Sequence, residues 1–155
     1  MKDIGRFGSG LWYEEMEVGT TWRTAGRTLL ESDLAAFVNL TWYTEELFTN
    51  LEDRSANAIA GRPVPATMVF SMAEGLVQPA IVRRGLALLN VELEIKGPTQ
   101  VGDTITVHCE VVEARTTSRP DRGLVRTRHN VRNARGEDLI VYHALRMMRR
   151  RPPAN

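Results

Sequence analysis

The sequence predicts a single α+β domain in which an antiparallel sheet curls round one long helix. Three observations predict it. A broad apolar surface at helical spacing follows Pro65, the back half alternates apolar and polar residues with a period of two, and turn-forming clusters separate the alternating runs. A long apolar helix and several strands with one apolar face bury both surfaces most economically when the sheet wraps the helix.

The elements follow in chain order. Thr21 to Thr28 is rich in β-branched and aromatic residues without helical spacing and reads as a short extended segment. Glu31-Ser32-Asp33 offers an N-cap ahead of Leu34, Phe37, Val38 and Thr41, one amphipathic helix. A second helical stretch is expected from Glu45 to Arg54, with Leu47, Phe48 and Leu51 on its apolar side. Gly61-Arg62-Pro63-Val64-Pro65 breaks the chain, because proline lacks a backbone donor and biases its predecessor away from the helical region. The long helix should run from just after Pro65 to about Arg83, with Met68, Val69, Met72, Ala73, Leu76, Val77 and Ala80 on its apolar side.

Four strands are expected next. Leu89, Val91, Leu93 and Ile95 alternate with polar residues as in a half-buried strand, and Ile105, Val107, Cys109 and Val111 repeat the pattern. Val125, Thr127, His129 and Val131 follow it less strictly. Leu139 to Met148 is apolar on both faces at its start, which marks a strand that is central or covered by a partner. Lys96-Gly97-Pro98 with Gly102-Asp103, then Pro120 to Gly123, then Asn133 to Gly136 supply the turns of antiparallel hairpins.

Composition narrows the function classes. The chain of 155 residues, 43% hydrophobic and 25% charged, fits one domain spanning 1–155. Twenty Lys and Arg against nineteen Asp and Glu leave a net charge of +1, which argues against a global field that recruits nucleic acid or an anionic membrane. The single cysteine, Cys109, rules out an intramolecular disulfide or a multi-cysteine metal site and suits a reducing compartment. No apolar run has membrane-spanning length, and Met1 to Gly10 lacks a leader-like apolar core, so a cytoplasmic protein is expected. The basic end, Arg146 to Pro153, reads as a solvated terminus, an anion site being the alternative.

The order and spacing of several short motifs carry a resemblance. Met16-Glu17-Val18-Gly19-Thr20, Gly26-Arg27-Thr28, Ser32-Asp33-Leu34, Leu40-Thr41, Gly61-Arg62, Gly97-Pro98, Val101-Gly102-Asp103 and Arg122-Gly123-Leu124-Val125 together resemble the MaoC-like (R)-specific enoyl-CoA hydratase and dehydratase family. The resemblance implies a hotdog fold, an acyl thioester of coenzyme A or a carrier protein as ligand, and a homodimer or higher oligomer joined edge to edge. It also implies that no metal and no bound cofactor is needed.

The departure from the family sits at the chemistry. After Leu-Thr the family reads approximately Gly-Asp-x-Asn-Pro-x-His, whose Asp and His activate water. Here Tyr43 takes the Asp position, Glu45 the Asn position and Phe48 the His position. A phenol ionises at about pH 10 and phenylalanine takes no proton, so neither is a competent base near neutrality. The family's His-Gly before the long helix is Pro65-Ala66, and the Ala66 N–H can still polarise a thioester carbonyl at a positively poised helix start.

Replacement groups are few. Thr67, Ser71, Glu74 and Gln78 recur at i, i+4, i+7 and i+11 and form a polar stripe on the long helix. In thioesterases of the hotdog fold that the resemblance implies, a carboxylate on this helix acts as base or nucleophile, which makes Glu74 a candidate. The alternative is that Glu74 pairs with an arginine or a backbone amide, or faces a wet dimer seam. Glu45 and Glu46 are further candidates for a relocated base. Arg115, Arg119 and Arg122 flank one hairpin and are candidates for coenzyme A phosphates, an exposed loop being the ordinary reading. His108 reads as a solvated surface residue, and His129 and His143 as packed and hydrogen-bonded, with no ligand constellation. The function expected is therefore a family member with weak or altered hydratase activity. The alternatives are an acyl-CoA thioesterase using Glu74 and a non-catalytic acyl-CoA binder or structural subunit.

Overall fold

The computed structural model describes residues 10–153, so the calls on Met1 to Ser9 lie outside the described residues. After a single 3-10 turn at Tyr13–Glu15 come β1 (Thr21–Arg23), β2 (Arg27–Thr28), α1 (Glu31–Thr41), α2 (Glu46–Thr49) and α3 (Ala66–Ile81). The remaining strands are β3 (Gly85–Ile95), β4 (Thr104–Thr116), β5 (Arg122–Arg132) and β6 (Asp138–Arg149). The sheet is antiparallel throughout, in the order β1-β4-β5-β6-β3, with β2 also on β4. It is the expected α+β arrangement.

The alternation seen in the sequence is realised on β4 and β5. Ile105, Val107, Cys109 and Val111 are buried, as are Val125, Thr127, His129 and Val131. Ile105, Val107, Cys109 and Val131 meet Met68, Val69, Ala73 and Val77 of α3 and Ile140, Tyr142 and Ala144 of β6 in one core, and Val111 and Val125 pack with Met16 and Met148 in a second. β6 is central, between β5 and β3, which explains why Leu139 to Tyr142 are buried on both faces. Gly123 is needed where it stands, because a Cβ there would lie 2.3 Å from the Tyr13 ring. Gly136 takes φ +81° in the β5–β6 turn, a region that favours glycine.

Several expectations need correction. The Thr21–Thr28 segment is split into two short strands. Glu31, Ser32 and Asp33 lie inside the first turn of α1 rather than before it. Asp33 there accepts the Leu30 N–H at 2.9 Å, so the third helical residue caps the first turn. The Glu45–Arg54 helix is only four residues long, and Arg54 donates to the Leu47 carbonyl within it at 3.2 Å and to the Asn50 carbonyl just past it at 3.0 Å. α3 ends at Ile81, two residues early, and Pro79 in its last turn denies the Gly75 carbonyl its helical donor.

The largest correction concerns β3. It begins at Gly85, and its apolar residues are exposed apart from half-buried Val91. Register places Val91, Leu93 and Ile95 opposite the core residues Ala144, Tyr142 and Ile140, on the helix side of the sheet. The strand is an edge that α3 does not cover, so the alternation marks one apolar face without burying it.

Candidate functional site

α3 starts abruptly. Pro65 precedes it with extended geometry and no side chain caps it; the Met68 N–H donates to the Pro65 carbonyl at 3.0 Å, whereas the Ala66 and Thr67 N–H groups come too early for an intrahelical acceptor. The preceding segment is fixed against the β3–β4 turn, with Val64 N–H donating to the Thr99 carbonyl at 2.9 Å and Val101 N–H to the Arg62 carbonyl at 2.9 Å. A cavity of about 430 Å³ opens at this helix start.

Tyr43, Phe48 and Ala66 line the cavity together, with Ile95, Lys96 and Ile140 among its other walls. The Tyr43 and Phe48 rings stand 5.4 Å apart between centroids, and Phe37 lies 6.2 Å from Tyr43. Arg62 braces this wall. It donates to the Phe48 carbonyl at 2.6 Å and pairs with Glu31 at 2.6 Å, and that guanidinium holds the Glu31 carboxyl below its ordinary range. The aromatic pair is thus carried on a turn tied to both α1 and the segment before α3. Among the described residues lining the cavity there is no carboxylate and no imidazole, and Lys96 is the one charged side chain.

The other candidates lie elsewhere. Glu45 and Glu46 are exposed and do not line the cavity. Glu74 turns from α3 toward β6, where its carboxylate accepts from Arg146 Nη2 at 2.5 Å and from the Tyr142 hydroxyl at 2.7 Å. This is the arginine pairing that the sequence reading held among its alternatives to catalysis. Arg146 continues to Thr127 Oγ1 at 3.3 Å, and Thr127 lies 3.2 Å from His129 Nε2. Burial, then the Glu74 charge, push the Tyr142 phenol up, and burial also pushes the Cys109 thiol up to about 12. His129 is fully buried and stacked on Tyr142, and burial, then the Arg146 charge, lower its pKa to about 3. It is packed and hydrogen-bonded, as its alternation suggested. His108 is half-buried rather than fully solvated, and desolvation with Arg132 and Arg23 lowers its pKa.

Arg115, Arg119 and Arg122 are not gathered into one site. Arg115 pairs with Glu113 at 3.2 Å and Arg119 is exposed. Arg122 pairs with Asp121 at 2.8 Å and lies in a separate, larger cleft. That cleft also takes Arg149, Arg150 and Arg151; Arg149 and Arg151 to Pro153 are exposed, as expected of a solvated terminus, while Arg150 pairs with Glu14 at 2.9 Å and Arg151 with Glu15 at 2.8 Å. Sequence reasoning missed Arg146 as the partner of Glu74. The available signal was an arginine at a position that shares its strand face with Tyr142, Ala144 and Met148.

Comparison with solved structures identifies the class. The chain superposes on the monoamine oxidase regulatory protein of Archaeoglobus fulgidus with TM-score 0.84 and 26% identity, over 92% of this chain and 97% of that one. A putative MaoC domain protein dehydratase of Chloroflexus aurantiacus matches with TM-score 0.90 and 22% identity over 97% of this chain and 44% of that one. Rv0216 of Mycobacterium tuberculosis, described as a double hotdog fold, matches with TM-score 0.81 and 22% identity over 97% and 47%. This chain spans a little under half the length of those last two proteins. No protein-family model and no curated protein matches the sequence. The chain has the hotdog fold of the MaoC-like dehydratases and (R)-hydratases. Among the described residues no helix is long and apolar enough to cross a membrane.

Proposed function

We propose that this chain is a cytoplasmic MaoC-like protein that binds an acyl thioester at the mouth of α3 and hydrates enoyl thioesters weakly or not at all. One observation carries the reading. Tyr43 and Phe48, which the resemblance aligns with the family's Asp and His, stand side by side in the wall of the cavity that also holds Ala66. The Ala66 N–H at the uncapped helix start is the donor for the thioester carbonyl, and the apolar walls suit an acyl chain. Thioester hydrolysis is the alternative that rests on Glu74, whose carboxylate is engaged by Arg146 and Tyr142. The lack of a carboxylate or imidazole on the cavity wall favours binding without the family's acid-base step. The exposed apolar face of β3 supports an edge-to-edge homodimer.

Hydration of a short trans-2-enoyl-CoA by the purified protein tests the proposal. Turnover should be poor or absent, because general acid-base catalysis contributes about 100- to 10,000-fold. A rate comparable to relatives with the Asp and His would refute it. The double change Tyr43→Asp with Phe48→His should create or raise the activity. No gain with the fold preserved would mean that the cavity no longer accepts the substrate.

A further inference from the structure

A cleft of about 1060 Å³ lies at the other end of α3, at its C-terminus. Its walls carry Arg83, Arg84, Arg122, Arg149, Arg150 and Arg151 against a single carboxylate, Asp121. These arginines come from three separate stretches of chain, and backbone hydrogen bonds hold the stretches together. Arg149 N–H donates to the Arg84 carbonyl at 2.8 Å, and Arg150 N–H donates to the Asp121 carbonyl at 2.9 Å. The cluster is therefore built into the fold.

Half of its charge has no internal answer. Arg122 pairs with Asp121 at 2.8 Å, Arg150 with Glu14 at 2.9 Å and Arg151 with Glu15 at 2.8 Å. Arg83, Arg84 and Arg149 have no acidic partner among the described residues. The negative end of the α3 dipole, on the order of half a charge, offsets only a fraction of the three. A chain whose net charge is +1 thus concentrates most of three unmatched charges in one concave place. Two details show the site held in readiness. The Arg84 guanidinium lies 3.5 Å from the centroid of the Trp12 ring, and its shielded Nε has no hydrogen-bond partner. Arg83 sits at φ +64°, where the end of a helix ordinarily takes glycine.

We propose that this arginine cleft binds a ligand bearing adjacent phosphate groups on a planar or apolar body, the chemistry of a nucleoside diphosphate. Guanidinium forks match phosphate oxygens two at a time, and several of them in one concavity favour linked phosphates over a single carboxylate. Trp12, Leu86 and Pro152 give the cleft an apolar wall beside the charges. The proposal does not rest on the acyl-thioester reading, since the cleft and the cavity at Ala66 share no lining residue. The phosphates could belong to a free nucleotide or to the nucleotide end of a thioester carrier.

Titration calorimetry of the full chain with ADP, acetyl-CoA and adenosine, at low and at physiological salt, tests it. ADP and acetyl-CoA should bind with salt-dependent affinity and adenosine should not. Arg84→Gln with Arg149→Gln should weaken both at least tenfold, as should Arg83→Gln with Arg149→Gln, an exposed pair chosen to spare the Trp12 stack. Arg115→Gln should change nothing. Equal affinity for ADP and acetyl-CoA would assign the cleft to a free nucleotide, and a clear preference for acetyl-CoA would assign it to the carrier. Absence of binding by both, or affinity indifferent to the cleft variants, overturns the proposal.

Discussion

Replacing Glu74 by glutamine leaves an arginine buried without its counter-charge. Arg146 is 6% exposed and Glu74 17% exposed in their side chains, so water supplies little compensation. Breaking such a pair from one side costs about 3–5 kcal/mol, and glutamine, which keeps an acceptor for Arg146 and Tyr142, belongs at the lower end. For a chain of 155 residues, a loss of about 3 kcal/mol at roughly 2–4 °C per kcal/mol lowers the melting temperature by about 6–12 °C. Thermal unfolding by circular dichroism, at one protein concentration for all variants, measures it. The double change Glu74→Gln with Arg146→Met removes the stranded charge and should recover part of the loss. An unchanged melting temperature for Glu74→Gln would refute the structural role. If thioester hydrolysis were detected and abolished by that same stable variant, Glu74 would be catalytic.

Three further outcomes are expected. The unfolded imidazole of His129 titrates near the ordinary histidine value of 6.5 and the folded one at about 3, so the unfolded state binds the extra proton in between. Stability present above the unfolded value is lost as pH falls toward the folded one, at up to about 1.4 kcal/mol per pH unit, and His129→Gln should flatten that slope. Denaturant melts of both proteins across this window check it, and identical slopes would count against a neutral buried His129. Cys109 is 2% exposed with its pKa raised to about 12, so the native protein should resist iodoacetamide until it is unfolded. Fast labelling of the folded protein would contradict the burial. Light scattering at micromolar concentration should give at least a dimer, and Leu93→Arg with Ile95→Arg on the exposed face of β3 should shift it toward monomer. A stable wild-type monomer would remove the edge-to-edge pairing.

Much of the fold was legible because it is written locally. The period of two in Ile105 to Val111 and the helical spacing of Met68 to Val77 each depend on neighbours along the chain, and both faces emerge buried as their patterns require. That Tyr43 and Phe48 supply no base near neutrality was equally legible, since a side chain's chemistry is written in its residue type. Their meeting beside Ala66 came through alignment with a family motif, and the structure brings all three to one cavity. What the sequence determined by itself was therefore the fold class and the main elements of the back half with the long helix before them. Only the tertiary structure decided that β3 is an uncovered edge, that Glu74 is held by Arg146, and that Arg83, Arg84 and Arg149 meet in one cleft. Each of these depends on which distant segments come together. Periodicity tells which face of a segment is apolar, but strand order and long-range packing choose whether that face is covered and which charge stands opposite which.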